Sequence, residues 1–147
     1  MSQPKVYLDT SALVKRYVEE EGSEKIDSLF DKAYRDELIL VTSQWNIAEA
    51  SVVFDKYERR ALLNAVDTFN LLQNEMETMV RMGLFRIIPL FGNIVAESIR
   101  LIFTYHIYVA DAVQILTCQQ ERCDQFVTFD KKLREIAKSE KLNILDP

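Results

Sequence analysis

Histidine occurs once in this chain of 147 residues, at His106, cysteine only at Cys118 and Cys123, and glycine and proline three times each. Each scarcity removes a class of protein. One histidine and two cysteines spaced five apart offer neither a zinc-ligand spacing nor a CxxC redox pair, so both thiols are expected to be reduced. Proton transfer near neutral pH, usually the work of histidine, must fall to other groups, and His106 reads as a cation at a helix end. Few glycines and prolines, with 48% hydrophobic and 28% charged residues, exclude a disordered chain and a loop-rich disulfide scaffold. No GxGxxG or GxxxxGK[ST] phosphate loop is present. No apolar run approaches the ~20 residues that span a bilayer, and the opening MSQPKVYLD lacks the apolar stretch of a signal peptide. The expected setting is therefore the cytoplasm, with no membrane partner. Positive charge is also short: 18 Lys and Arg against 23 Asp and Glu leave a net charge of −5. That argues against broad electrostatic capture of a polyanion, but not against a local basic patch beside an acidic pocket.

What is present fits one domain over residues 1–147, long enough to bury roughly two thirds of its unfolded surface. Short β-type runs (Val6 to Leu8, Leu38 to Val41, Arg86 to Leu90, Gln125 to Phe129, Asn143 to Leu145) alternate with helical patterns. The spacing predicts one long helix over 61–82, and another over 93–106 with Ile94, Val95, Ile99, Ile102 and Phe103 on its buried side. Strands alternating with helices imply an α/β fold, a mostly parallel central sheet of four or five short strands flanked by helices.

The stretch KVYLDTSALVKRY joins a strand to a helix through Asp9. Asp, Thr and Ser all make good helix caps, so Asp9, Thr10 or Ser11 explains itself locally. Three further carboxylates change the reading: Glu49 early in the helix after the second strand, Asp111 at a helix start, and Asp130 after QFVTF. In a parallel sheet all four can meet at one carboxyl edge. Carboxylates packed together repel and raise one another's pKa unless cations neutralise them, and a hard oxygen-seeking ion such as Mg²⁺ or Mn²⁺ is the natural neutraliser. On that reading Thr10 or Ser11 caps the helix and Asp9 is free to be a metal ligand.

The segments YLDTSALVKRY, TSQWNIAEA, VADAVQILT and FVTFDKKL resemble, in order, the four motifs of PIN-domain ribonucleases, and small chains of this kind resemble the VapC toxins of type II toxin–antitoxin pairs. The resemblance implies a Mg²⁺- or Mn²⁺-dependent endoribonuclease. Asp9, Glu49, Asp111 and Asp130 would form its acidic, metal-holding catalytic site, supported by Thr10 and Thr128. It implies metal-assisted hydrolysis leaving a 5′-phosphate and a 3′-hydroxyl. It also implies an RNA substrate, a homodimer formed near the long helix, and an antitoxin whose amphipathic C-terminal segment lies in a groove near that helix.

Lys15 and Arg16, close behind Asp9, are the candidates for holding the RNA backbone. Lys56, Arg59 and Arg60 follow Glu49, and Lys131, Lys132 and Arg134 follow Asp130; for all of these the alternative is a solvated helix face. The rival reading of a different class is a PIN-like module that binds RNA or protein without cutting. A response-regulator receiver would place an acidic pair after its first strand, and an acid phosphatase a DxD, whereas here Asp9 is followed by Thr10 and Ser11.

Overall fold

A computed structural model describes residues 2–145. Four strands, β1 (Lys5–Leu8), β2 (Ile39–Ser43), β3 (Phe85–Ile88) and β4 (Gln125–Val127), form one sheet in the order β3-β2-β1-β4, every neighbouring pair parallel. Parallel strands need long crossovers. Here α1 (Thr10–Val14) and α2 (Ser23–Tyr34) link β1 to β2, and α3 (Gln44–Arg59) and α4 (Ala65–Arg81) link β2 to β3. From β3 the chain runs through α5 (Gly92–Tyr105) and α6 (Val109–Gln120) to β4, and α7 (Lys131–Ser139) follows.

Side-chain alternation along the strands sends apolar residues to both sheet faces. Val6, Leu8 and Leu40 join Leu13, Ile26, Phe30, Phe54, Leu72 and Met79 from α1 to α4 in one core. Tyr7, Ile39 and Val41 join Leu101, Val113, Leu116, Leu133 and Ile136 from α5 to α7 in another. The ring of Tyr7 stacks on Phe126 of the neighbouring strand, centroids 5.4 Å apart.

Several expectations are adjusted. The run Asn143 to Leu145 makes only a single bridge, Ile144 beside Phe126, so among the described residues the sheet has four strands and no fifth. The helix expected over 61–82 begins at Ala65. The chain leaves α3 through Ala61 in the left-handed region (φ 58°), and Asn64 caps α4, so Leu62 and Val66 end up exposed. On α5 the buried side is Ile94, Ser98 and Leu101. Val95, Ile99 and Phe103 face outward, Phe103 with 76% of its surface exposed. Asn93, Glu97, Arg100 and Thr104 form one polar stripe on that helix, and the apolar remainder is wider than the face the core covers, so spacing alone did not select the inner face.

Gly22, at φ 93°, precedes α2. A Cβ there would lie 2.6 Å from the Phe129 ring, so both the backbone angle and the close ring demand glycine.

Among the described residues no single helix is long and apolar enough to cross a membrane.

Candidate active site

Asp9 follows the last residue of β1, and its N–H donates to Val127 O of β4 at 3.1 Å. This places it at the carboxyl edge of the two strands. Its carboxylate is almost wholly buried and takes three donors. Ser11 Oγ (2.7 Å) and the Ala12 N–H (2.8 Å) donate to Oδ1, and the Thr128 hydroxyl donates to Oδ2 in a short hydrogen bond. Asp9 itself is thus the N-cap of α1, a correction to the assignment of that cap to Thr10 or Ser11. The two roles divide between its oxygens. Oδ1 is satisfied by the helix start, while Oδ2 accepts one hydroxyl and keeps a lone pair.

Thr10 and Ser11 serve neighbouring groups. Thr10 Oγ1 donates to Glu49 Oε1 at 2.7 Å and accepts from Asn46 Nδ2 at 2.8 Å. Asn46 Oδ1 in turn accepts from Tyr7 OH (2.5 Å) and from the Ser43 N–H (3.0 Å). A chain of donors therefore runs from buried Tyr7 through Asn46 and Thr10 to the glutamate. The Thr10 N–H donates to Oε1 of Gln114, a buried residue of α6. Ser11 Oγ also accepts from the Phe129 N–H at 3.0 Å, and Thr128 Oγ1 accepts from the Asp130 N–H at 3.0 Å. The Asp130 carboxylate caps α7 by accepting from the Leu133 N–H at 3.1 Å.

The carboxylates feel one another. Burial raises Asp9 most; hydrogen bonds from Thr128, Ser11 and Ala12 offset part of that, the charge of Asp130 adds to it, and the group is held up at about 6. Burial, then Asp130, then Glu49 raise Asp111, relieved only partly by Lys132, again to about 6. Glu49 is raised by burial against the hydrogen bond from Thr10. The charge of Asp130 reaches both Asp9 and Asp111, and that of Glu49 reaches Asp111, so the four expected acids share one electrostatic neighbourhood. Among the described residues no three of them are already drawn together as a finished metal cage. The donor set is nonetheless all oxygen and short of positive charge, which fits a hard divalent cation.

The two expected backbone-binding cations are engaged elsewhere. Arg16 makes a two-pronged pair with Glu75 and a further contact to Asp27 at 2.8 Å, and its guanidinium lies over the Phe30 ring. Lys15 Nζ meets Glu20 at 3.1 Å and lies over Phe129. Asn46, Gln114 and Ser11 are the supporting residues that the sequence reading missed. The one signal for Asn46 was its place three residues after the capping Ser43, where its side chain completes a capping box.

A cleft of about 680 Å³ has none of these acids in its lining. It is lined by Ile47 and Ala48 of α3, by Phe69, Leu72, Met76 and Val80 of α4, and by Ile87.

Three solved structures share the fold at low identity. VapC20 of Mycobacterium tuberculosis, a toxin that cleaves the sarcin–ricin loop, is 12% identical with a TM-score of 0.65, over 88% of this chain and 93% of that one. VapBC2 from Rickettsia felis, bound to a DNA fragment from its promoter, is 14% identical with a TM-score of 0.60, over 96% and 97%. A toxin–antitoxin complex from Klebsiella pneumoniae is 20% identical with a TM-score of 0.54, over 86% and 88%. No curated protein sequence matches the chain. The PIN domain family model matches residues 6–139, nearly the whole length, and the chain belongs to the PIN-domain family.

Proposed function

We propose that the chain is a Mg²⁺- or Mn²⁺-dependent endoribonuclease and the toxin of a toxin–antitoxin pair. The observation that carries the reading is the gathering of buried or half-buried carboxylates at one sheet edge, with Asp9 and Asp111 raised first by burial and then by the charge of Asp130, and Asp111 also by that of Glu49. Folding has brought together charges that oppose one another in the absence of a counter-ion, an arrangement with little use to a purely structural domain.

Asp9, Asp111, Asp130 and Glu49 would hold the cation. When bound, it neutralises the acids and the phosphate and activates water for attack on phosphorus. Asp9 would hold it with the carboxylate oxygen left least engaged, Oδ2, which Thr128 steadies, while Ser11 and the Ala12 N–H fix Oδ1. Glu49 is turned by Thr10, itself held by Asn46, so that Oε1 is engaged and Oε2 has no hydrogen-bond partner among the described residues. The chain's own part is therefore orientation and charge, with no histidine required.

The partner readings follow the surface. The apolar cleft between α3 and α4 suits an amphipathic helix of an antitoxin, with Glu77 and Arg81 at its margin. The outward strip Phe91, Val95, Ile99 and Phe103 on α5, rather than the longer α4, is the face proposed for the homodimer.

The test is cleavage of end-labelled RNA with Mg²⁺, Mn²⁺ or EDTA, comparing the wild type with Asp9→Asn. Cleavage that needs metal, leaves 5′-phosphate ends and disappears in the variant is expected. Cyclic phosphate ends, or cutting undiminished in EDTA, would overturn the mechanism. RNA bound but never cut would favour the non-catalytic module.

A further inference from the structure

We propose that the cleft between α1 and α3 is a subsite for the RNA backbone beyond the cut, in which Lys56 and Arg60 hold successive phosphates next to the scissile one. The proposal rests on the ribonuclease reading and adds where the strand runs.

The cleft has a volume of about 400 Å³ and is lined by Thr10, Ser11, Lys15, Val53, Lys56, Tyr57 and Arg60, with Glu20 at its edge. It begins at the acids: Thr10, its inner end, is one hydrogen bond from Glu49. Glu49, Val53, Lys56, Tyr57 and Arg60 recur at helical spacing on one face of α3, so the surface leading away from Glu49 changes from acidic to apolar to basic. At 1.5 Å per residue, Lys56 stands about 10 Å along the helix from Glu49 and Arg60 about 16 Å, within reach of successive backbone groups of an extended strand.

Both cations are exposed, and neither has an ion-pair partner among the described residues, whereas the next basic residue, Arg59, is paired with Asp55. Favourable placement at the C-terminal end of α3 explains a positive charge there, but not why Lys56 and Arg60 face one cleft that opens on the acidic site. In a chain of net charge −5, two cations lining one cleft point to local recognition and not to general attraction.

The cleft also contains a competitor. Glu20 accepts from Lys15 Nζ at 3.1 Å and from Tyr57 OH at 3.1 Å, bridging α3 to the segment that follows α1. A phosphate arriving beside Lys15 must displace or outbid this carboxylate, so Glu20 weakens the subsite while it shapes it.

The experiment is fluorescence anisotropy with a short labelled single-stranded RNA of mixed sequence, in EDTA, across a range of salt. It compares the wild type, Lys56→Ala with Arg60→Ala, Glu20→Gln, and a charge-matched control, Arg86→Ala with Lys138→Ala. The first double variant is expected to bind several-fold more weakly, with a salt slope shallower by about 1.4, two contacts at about 0.7 each. The control is expected to keep the wild-type slope, and Glu20→Gln to bind several-fold more tightly, a gain that loss of folding does not imitate. Equal weakening by the control, or unchanged binding and slope in Lys56→Ala with Arg60→Ala, would overturn the subsite. If metal-dependent cleavage persisted beside that result, the ribonuclease reading would stand without it. A wild type that neither binds nor cuts RNA would remove both.

Discussion

Arg16 and Glu75, 59 residues apart in sequence, meet as a fork, Nε to Oε1 at 3.0 Å and Nη2 to Oε2 at 2.9 Å. Tyr17 and Tyr34 add hydroxyl donors to the same carboxylate at 2.9 and 2.8 Å. Burial by itself would raise Glu75, but bonds from Arg16, Tyr34 and Tyr17 outweigh it and hold the group below the ordinary glutamate value of 4.5. Because the folded-state pKa is the lower one, this contribution is complete above the unfolded value and is lost as pH falls through the folded one. Glu75→Gln is expected to destabilise by about 1–3 kcal/mol at pH 7 and to flatten the acid limb of the stability curve below about pH 4, measured by urea unfolding. An unchanged acid limb would mean that the cluster contributes nothing.

Asp9 carries the opposite sign. Its folded-state value, about 6, lies above the ordinary 3.8, so its charge costs stability progressively as pH rises through that interval, in full above it. The shift corresponds to about 3 kcal/mol. Asp9→Asn keeps an oxygen for the Ala12 N–H and removes the buried charge. In EDTA at pH 7.5 it is expected to match or exceed the wild type in thermal stability, while metal-dependent cleavage falls by more than about a hundredfold. A clear loss of stability at that pH would show that the charge is paired in a way the structure does not reveal.

Mg²⁺ or Mn²⁺ should raise the melting temperature of the wild type, and more at pH 7.5 than at pH 5, because the acids that would hold the ion must be ionised. Differential scanning fluorimetry at the two pH values is sufficient. An increment independent of pH, or equal in Asp9→Asn, would place the ion elsewhere.

Asn46 tests the support beneath Glu49. Asn46→Ala leaves Tyr7 OH without its acceptor and Thr10 without its donor. The expected cost is about 1–3 kcal/mol of stability, with Mn²⁺ bound about 10- to 100-fold more weakly by calorimetry. Metal affinity equal to wild type would remove Asn46 from the site.

The α5 strip predicts an oligomer. Ile99→Glu with Phe103→Glu, both outward-facing, should turn a dimeric elution profile monomeric without changing the circular dichroism spectrum. A wild type that stays monomeric at high concentration would dismiss the face.

The alternation of apolar run, aspartate and helix start made the junctions at Asp9 and Asp130 legible from sequence, because strand ends and helix caps are local events. The remaining gaps concern contacts between distant segments. Nothing near Arg16 reveals that Glu75 will claim it, so the arginine looked available for RNA. Asn46 and Gln114 look like surface amides until the packed elements around them bury both. The exposed face of α5 was misjudged for a related reason: a helix whose apolar stripe is wider than the face it buries identifies its partner only when the partner is in place.

Gly22 lies outside all four acidic segments, yet a Cβ there would run into the ring of Phe129, whose N–H holds Ser11, which in turn holds Asp9. A chain could thus retain every acid and still be inert, silenced by one methyl group in the loop before α2. Surveys that classify PIN proteins as active or dead from their carboxylates alone would miscount such cases, and position 22 is where to look for them.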